Sequence, residues 1–168
     1  MLFRIWEGFG TGFIVFILWI GLNPLLTKMG IPNSFFEMSR SNTVWNPFNT
    51  YGDQLWLAWT FVGIRILGSS FVVPFAEEVF FRSFVYRYII KPDFLSVSIS
   101  QMHGLSFLLT SAIFASTHTE WLAALLCGFI YQWLACRKNG IGEAIFAHAT
   151  TNFLLGVWVV WQSAWQFW

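Results

Sequence analysis

Five stretches of this chain carry almost no charged side chain. Gly8–Thr27 has none in 20 residues, Phe94–Thr119 none in 26, Trp121–Cys136 none in 16 and Ala144–Trp168 none in 25, while Gln54–Ala76 holds one, Arg65, in 23. A helix needs about 20 predominantly apolar residues to cross the hydrocarbon core of a bilayer. Only helices and closed barrels satisfy their own backbone polar groups there. Barrel strands alternate apolar and polar side chains over about ten residues, whereas these stretches are apolar all round, so they read as helices. The remainder of the composition excludes the other classes. Charged residues make up 10% of the chain, against about 25% in a soluble domain. A net charge of +1 leaves no basic surplus for nucleic acid. A hydrophobic content of 57% is incompatible with disorder.

The expected fold class is therefore all-α: a polytopic membrane helix bundle of four to six helices, forming one membrane domain. Residues 1–53 read as an N-terminal anchor helix and polar loop, and residues 54–168 as a helical core. The helices are expected at about 8–26, 54–73, 75–90, 104–118, 120–137 and 141–165, with Pro74 separating the second from the third as a kink or a break. Arg4 and the apolar run after it resemble a signal peptide, but Gly21-Leu22-Asn23-Pro24 is no small-x-small cleavage site, so an uncleaved anchor is expected. Thr27–Asp53 is rich in Pro, Gly, Asn and Ser and reads as an extramembrane loop. Trp158, Trp161, Trp165 and Trp168 are spaced 3, 4 and 3, which places them in one stripe on the last helix as an interfacial anchor. Cys127 and Cys136 lie nine apart, on opposite faces of one helix, and read as apolar filler.

Ionisable side chains inside apolar runs need a reason, because each costs several kcal/mol in lipid unless it is paired or wet. Three groups stand out. In Glu77-Glu78-Val79-Phe80-Phe81-Arg82, Glu78 and Arg82 are i, i+4 and share a helix face, so they can form an ion pair. Glu77 is turned about 100° away and finds no partner on its own helix. One paired and one free carboxylate suits a scaffold beside a base; a polar helix end near the membrane surface is the equal alternative. In Phe114-Ala115-Ser116-Thr117-His118, the histidine ends a charge-free run. In His148-Ala149-Thr150-Thr151-Asn152, His148 and Asn152 project the same way and can both donate toward one point, as an oxyanion clamp, as part of a metal site or as interhelical glue. Together these residues supply a carboxylate base, two imidazoles and an amide, which is what hydrolysis of a peptide bond requires. Neither a catalytic triad nor a glycine-rich phosphate loop is evident. Arg65 reads as snorkelling or pairing within the bundle, Glu143 as a first-turn carboxylate of the last helix, His103 as a loop-edge residue, and Glu120, close after His118, as a bland carboxylate outside the site, with contact to the site the lesser alternative.

The order E-E-x-x-x-R, F-x-x-x-H, H-x-x-x-N in apolar helices resembles the CPBP family of intramembrane proteases, also called Abi, which includes the CAAX prenyl endoproteases. All three motifs match, at Glu77, Glu78 and Arg82, at Phe114 and His118, and at His148 and Asn152, within residues 72–158. The surroundings are similar to the bacterial CAAX prenyl protease-related branch, which is linked to exosortase and PEP-CTERM sorting. The resemblance implies an endopeptidase with its catalytic cavity inside the bilayer. By that analogy Glu77 activates a water, His118 orients it, His148 and Asn152 stabilise the oxyanion, and Glu78 and Arg82 support the site. Family members commonly have more helices than the six at most counted here, which implies a minimal member or the C-terminal portion of a longer protein. Glu77, His118 and His148 are alternative zinc ligands; without H-E-x-x-H, and with Asn a poor ligand, the favoured expectation is no metal and no cofactor.

The expected partners are a membrane-associated protein or peptide substrate and the lipid bilayer, with no nucleic acid. The expected location is the bacterial inner membrane, as a multi-pass protein. Two other functions compete: a catalytically silent scaffold of the same fold, in bacteriocin immunity or protein sorting, and a small transporter using the buried acids and histidines as a proton relay. The intact motifs argue against the first, and the lack of internal repeats against the second. If residues 54–90 form one span, Arg4, Arg87, Lys91, Arg137 and Lys138 fall on one side of the membrane and Lys28 and Arg40 on the other. The first side is then cytoplasmic. Two full spans divided at Pro74 would reverse the later assignments.

Overall fold

The computed structural model describes the backbone of residues 2–32 and 44–168, and the side chains from residue 6 onward within those ranges; the side chain of Arg4 and the whole of Arg40 lie outside it. Six helices are present among the described residues, and no strand. They are α1 (Leu2–Lys28), α2 (Pro47–Tyr51), α3 (Leu55–Ile90), α4 (Gly104–Ser116), α5 (Trp121–Lys138) and α6 (Gly142–Gln162). Three of them, over Trp6–Lys28, Leu55–Ile90 and Gly142–Gln162, are long and apolar enough to cross a membrane. Large apolar side chains point outward along them: Ile14 and Ile17 on α1, Ile64, Leu67, Phe71 and Phe75 on α3, Phe153 on α6. An outer surface of this kind suits lipid rather than water.

Pro74 does not divide the second span. Residues 55–90 form one helix of 36 residues, because the wider π turn at Gly68–Val72 absorbs the proline; a second π turn follows at Val79–Val85. Val73 N–H reaches back five residues to the Gly68 carbonyl. Pro74, which would reach Ser69 in the same way, has no N–H to offer. Two further expectations are corrected. Within the stretch read as a loop, Asn46 accepts a hydrogen bond from Phe48 N–H at 2.9 Å and, with Pro47 in the first turn, starts the short helix α2. At the other end, α6 stops at Gln162 with Ser163 in the left-handed region (φ 54°). Trp165 and Trp168 therefore leave the tryptophan stripe and fold back, Trp165 against Phe48.

The single long α3 fixes the order of crossings. One end of the bundle gathers Arg87, Lys91, Arg137 and Lys138, with Glu7 of α1 paired to Arg137 at 3.6 Å and to Lys138. The opposite end gathers Lys28, Glu120 and Trp121; Asn23 donates to Glu120 at 3.1 Å, and the Trp121 indole to Pro32 O at 3.0 Å. Apolar burial between helices gains little in lipid, so close backbone approach carries the packing. At Gly12, α1 lies so near α6 that a Cβ would sit 2.4 Å from Ala147 O, and Thr151 Oγ1 donates to the Gly12 carbonyl at 2.8 Å. Gly12→Val is expected to force the two helices apart at a cost of about 1–3 kcal/mol or more, lowering the melting midpoint in detergent. Gly10→Val, with open space around its Cβ, serves as the control; equal midpoints for the two variants would refute this account of the α1–α6 contact.

Candidate active site

Helix α4 has 13 residues, a rise of about 20 Å, less than the roughly 30 Å hydrocarbon thickness. It starts at the basic end. The turn after it, Thr117–Glu120, leads into α5 on the side of Lys28 and borders a cavity. Its volume is about 330 Å³, and Glu77, His118, His148 and Asn152 all line it, as do Glu120 and Arg65.

The two adjacent glutamates have different surroundings. Glu78 is completely buried; its Oε2 is 3.0 Å from Arg82 Nε, and its Oε1 accepts a hydrogen bond from His148 Nδ1 at 2.9 Å. Arg82 is equally buried, with its guanidinium 4.6 Å above the Phe114 ring and Nη2 at 3.5 Å from the Gly128 carbonyl. Glu77 keeps a quarter of its side chain accessible; its Oε2 lies 3.8 Å from His148 Nε2 and makes no hydrogen bond. The acids thus bracket one imidazole, Glu78 on Nδ1 and Glu77 opposite Nε2.

His118 folds back on its own turn. Its Nδ1 donates to the Phe114 carbonyl at 2.8 Å, which fixes the proton on Nδ1 and leaves Nε2 as the other polar atom of the ring. The Phe114 ring lies tilted against the imidazole at 4.4 Å, and the Trp19 ring of α1 meets it edge-on at 5.8 Å. Asn152 Nδ2 donates to the Ser69 carbonyl at 2.8 Å. That carbonyl is the one deprived of a helix donor by Pro74, so the proline in α3 creates the anchor for an amide in α6. With one amide hydrogen on Ser69 and His148 Nδ1 on Glu78, the pair offers the cavity a second Asn152 N–H and His148 Nε2.

Three contributors were not singled out from the sequence. Tyr131 is fully buried in α5, lies parallel to the His148 ring at 5.1 Å and donates its hydroxyl proton to Thr151 at 2.7 Å. Thr151 in turn ties α6 to α1 through Gly12. Ser69 acts only through its backbone. A search for ionisable groups passes over all three, although a tyrosine and a threonine in apolar runs are themselves polar exceptions. The remaining candidates are elsewhere or peripheral. His103 caps α4, accepting from Ser106 N–H at 3.3 Å, and Glu143 sits in the first turn of α6. Cys127 and Cys136 are buried and unpaired. Arg65 places its guanidinium 5.0 Å over the Trp168 ring. As to a metal, no three His, Cys, Asp or Glu side chains converge closely enough to hold one among the described residues. Glu77, His118 and His148 surround a cavity rather than a point.

Comparison with known proteins bears on this arrangement. Residues 52–154 match the model of the Rce1-like family, described as type II CAAX prenyl endopeptidase Rce1-like. The matched segment contains all of Glu77, Glu78, Arg82, His118, His148 and Asn152. The UPF0177 protein YxdF of Lactococcus lactis subsp. lactis (strain IL1403) is 30% identical over 89 residues, covering 51% of this chain and 44% of that protein. The chain therefore matches less than half the length of that relative. No solved structure matches it.

Proposed function

The chain belongs to the Rce1-like family of type II CAAX prenyl endopeptidases, and we propose that it is an intramembrane endopeptidase in which Glu77 activates the attacking water. The observation that carries this reading is the difference between the two acids: Glu78 is fully buried and committed to Arg82 and His148, while Glu77 lines the cavity with a quarter of its side chain accessible and no hydrogen bond on its buried Oε2. The attacking water meets the accessible part of the Glu77 carboxylate in the cavity. Glu77 takes its proton as the oxygen attacks the scissile carbonyl carbon, and His118 Nε2 orients the water from the neighbouring turn. The developing oxyanion is held by the free Asn152 N–H, and by His148 whenever its Nε2 carries a proton. Collapse of the tetrahedral intermediate breaks the C–N bond, and Glu77 returns the proton to the leaving amine.

No step in this scheme runs through a metal. The substrate is a membrane-associated protein or peptide, a reading supported by the family and by a cavity set among membrane-crossing helices. The test is a quenched fluorescent peptide library, anchored in vesicles and incubated with the reconstituted protein. Cleavage that persists in excess chelator is expected. No cleavage across the library would leave the silent scaffold as the better reading; cleavage abolished by chelator and restored by zinc would favour the zinc alternative.

A further inference from the structure

Helix α1 lies outside the matched residues 52–154, yet one of its faces reaches the surroundings of both histidines of the site. Gly12 and Trp19 stand two turns apart on one stripe of that helix. Val15, between them, is buried in the same apolar core as Phe114 and Tyr131. Ile14 and Ile17, on the other face, point outward.

An imidazole needs more than one hydrogen bond to hold its plane. The last torsion of a histidine is broad rather than staggered, so a bond at Nδ1 fixes one atom and leaves the tilt of the ring to its neighbours. For His118 the bond is to the Phe114 carbonyl, at 2.8 Å. Phe114 sits one turn back on the same helix, so the edge-on contact with Trp19 is what ties this ring to α1. For His148 the bond is to Glu78, and the Tyr131 ring lies along the imidazole, 27° from parallel. A plain phenyl ring would stack as well. The hydroxyl adds a second point of contact, donating to Thr151 Oγ1 at 2.7 Å, and Thr151 lies three positions after His148 on the same side of α6. Tyr131 thus holds one turn of α6 at two points. Thr151 donates its own proton to the Gly12 carbonyl of α1 at 2.8 Å, nearer than the Ala147 carbonyl of its own helix at 3.1 Å. Tyr131 and Thr151 are both buried, and a buried hydroxyl is costly unless bonded, so the chain of donors runs from Tyr131 through Thr151 to α1.

We infer that α1 is a positioning helix of the site: Trp19 holds the His118 imidazole, and Gly12, through Thr151 and Tyr131, holds that of His148. Tyr131 and Thr151 take no part in proton transfer; they keep His148 Nδ1 on its acceptor and the ring in one plane. The positioning stands on ring and hydrogen-bond geometry; that it serves peptide cleavage rests on the proposed peptidase reading.

The test reads the rings and the reaction separately. Protein isotopically labelled at the histidine nitrogens is followed by long-range proton–nitrogen correlation in detergent, where a ring held in one arrangement gives one pattern. Trp19→Leu should replace the single pattern of His118 by an averaged one and leave His148 unchanged; Thr151→Val should do the reverse. Each should lower kcat about ten- to hundredfold, the loss expected for a small misplacement of reacting groups, with KM changed less than about twofold. Trp19→Phe and Thr151→Ser, which keep an aromatic ring and a hydroxyl, should restore both readings, and Ile14→Ala on the outward face should move neither. Where Thr151→Val does not fold, Tyr131→Phe, which keeps the ring and lacks the donor, takes its place with the same expectation. Folded variants with unaltered ring patterns overturn the inference, and so does Thr151→Ser as slow as Thr151→Val. Ring patterns that move as expected in a protein that cleaves nothing sink the peptidase reading alone; cleavage by the parent with unmoved rings in the variants sinks only the inference drawn here.

Discussion

Glu77→Gln is expected to yield a folded bundle that cleaves its substrate about 10²–10⁴-fold more slowly than the parent, the usual loss when a general base is removed. The amide is nearly isosteric with the carboxylate. Glu77 Oε2 makes no hydrogen bond and the side chain is a quarter accessible, so no internal network breaks. What is lost is the ability to take a proton from water. The melting midpoint in detergent should therefore stay within the small range of surface substitutions, about 0.5 kcal/mol, while turnover collapses. A parallel drop in midpoint would mean that Glu77 is a structural acid. Undiminished cleavage would remove it from the mechanism altogether. A proton-relay transporter would behave differently again, losing pH-driven flux with no peptide product.

The different legibility of fold and site has a physical basis. Charge-free runs announce membrane helices because lipid forbids unpaired charge over their length, and the expected core segments at 104–118, 120–137 and 141–165 fall within a few residues of α4, α5 and α6. The Glu78–Arg82 pair was legible because i, i+4 geometry is local. The unity of α3 was not, since a proline in an apolar run suits a break equally well. What decides is the π turn at Gly68–Val72 just before Pro74, where Asn152 of α6 donates to the Ser69 carbonyl. The same holds for the partners of His148. Its place between Glu77 and Glu78 joins residues 70 or more positions apart, and the Tyr131 ring parallel to it comes from a third helix. Trp165 and Trp168 were misplaced for a local reason: nothing in their 3, 4, 3 spacing signals that Ser163 takes a left-handed turn and ends the helix before them.

Glu78→Gln should fail in the opposite way, losing stability and activity together. Arg82 is buried to the same degree as Glu78, and once the carboxylate charge is gone its guanidinium keeps only neutral partners: the amide oxygen of the new side chain, the Gly128 carbonyl at 3.5 Å and the faces of Phe114, Phe81 and Tyr131. Aromatic faces attract a cation by about 0.5–2 kcal/mol, too little to replace a partner, and orphaning one charge of a buried pair costs about 3–5 kcal/mol. A double variant separates the two consequences. Replacing both members by apolar residues, as in Glu78→Leu with Arg82→Met, removes the orphaned charge, and such exchanges are often neutral or stabilising. The melting midpoint should return most of the way to that of the parent. Cleavage should not return, because His148 Nδ1 then has no acceptor at 2.9 Å and the ring is free to turn its Nε2 away from Glu77. Stability without activity in the double variant would identify Glu78 as the residue that aims His148. If the double variant is as unstable as Glu78→Gln, the pair is needed for folding in its own right; if it is active, His148 is held by its packing against Tyr131 and Phe114 rather than by the carboxylate.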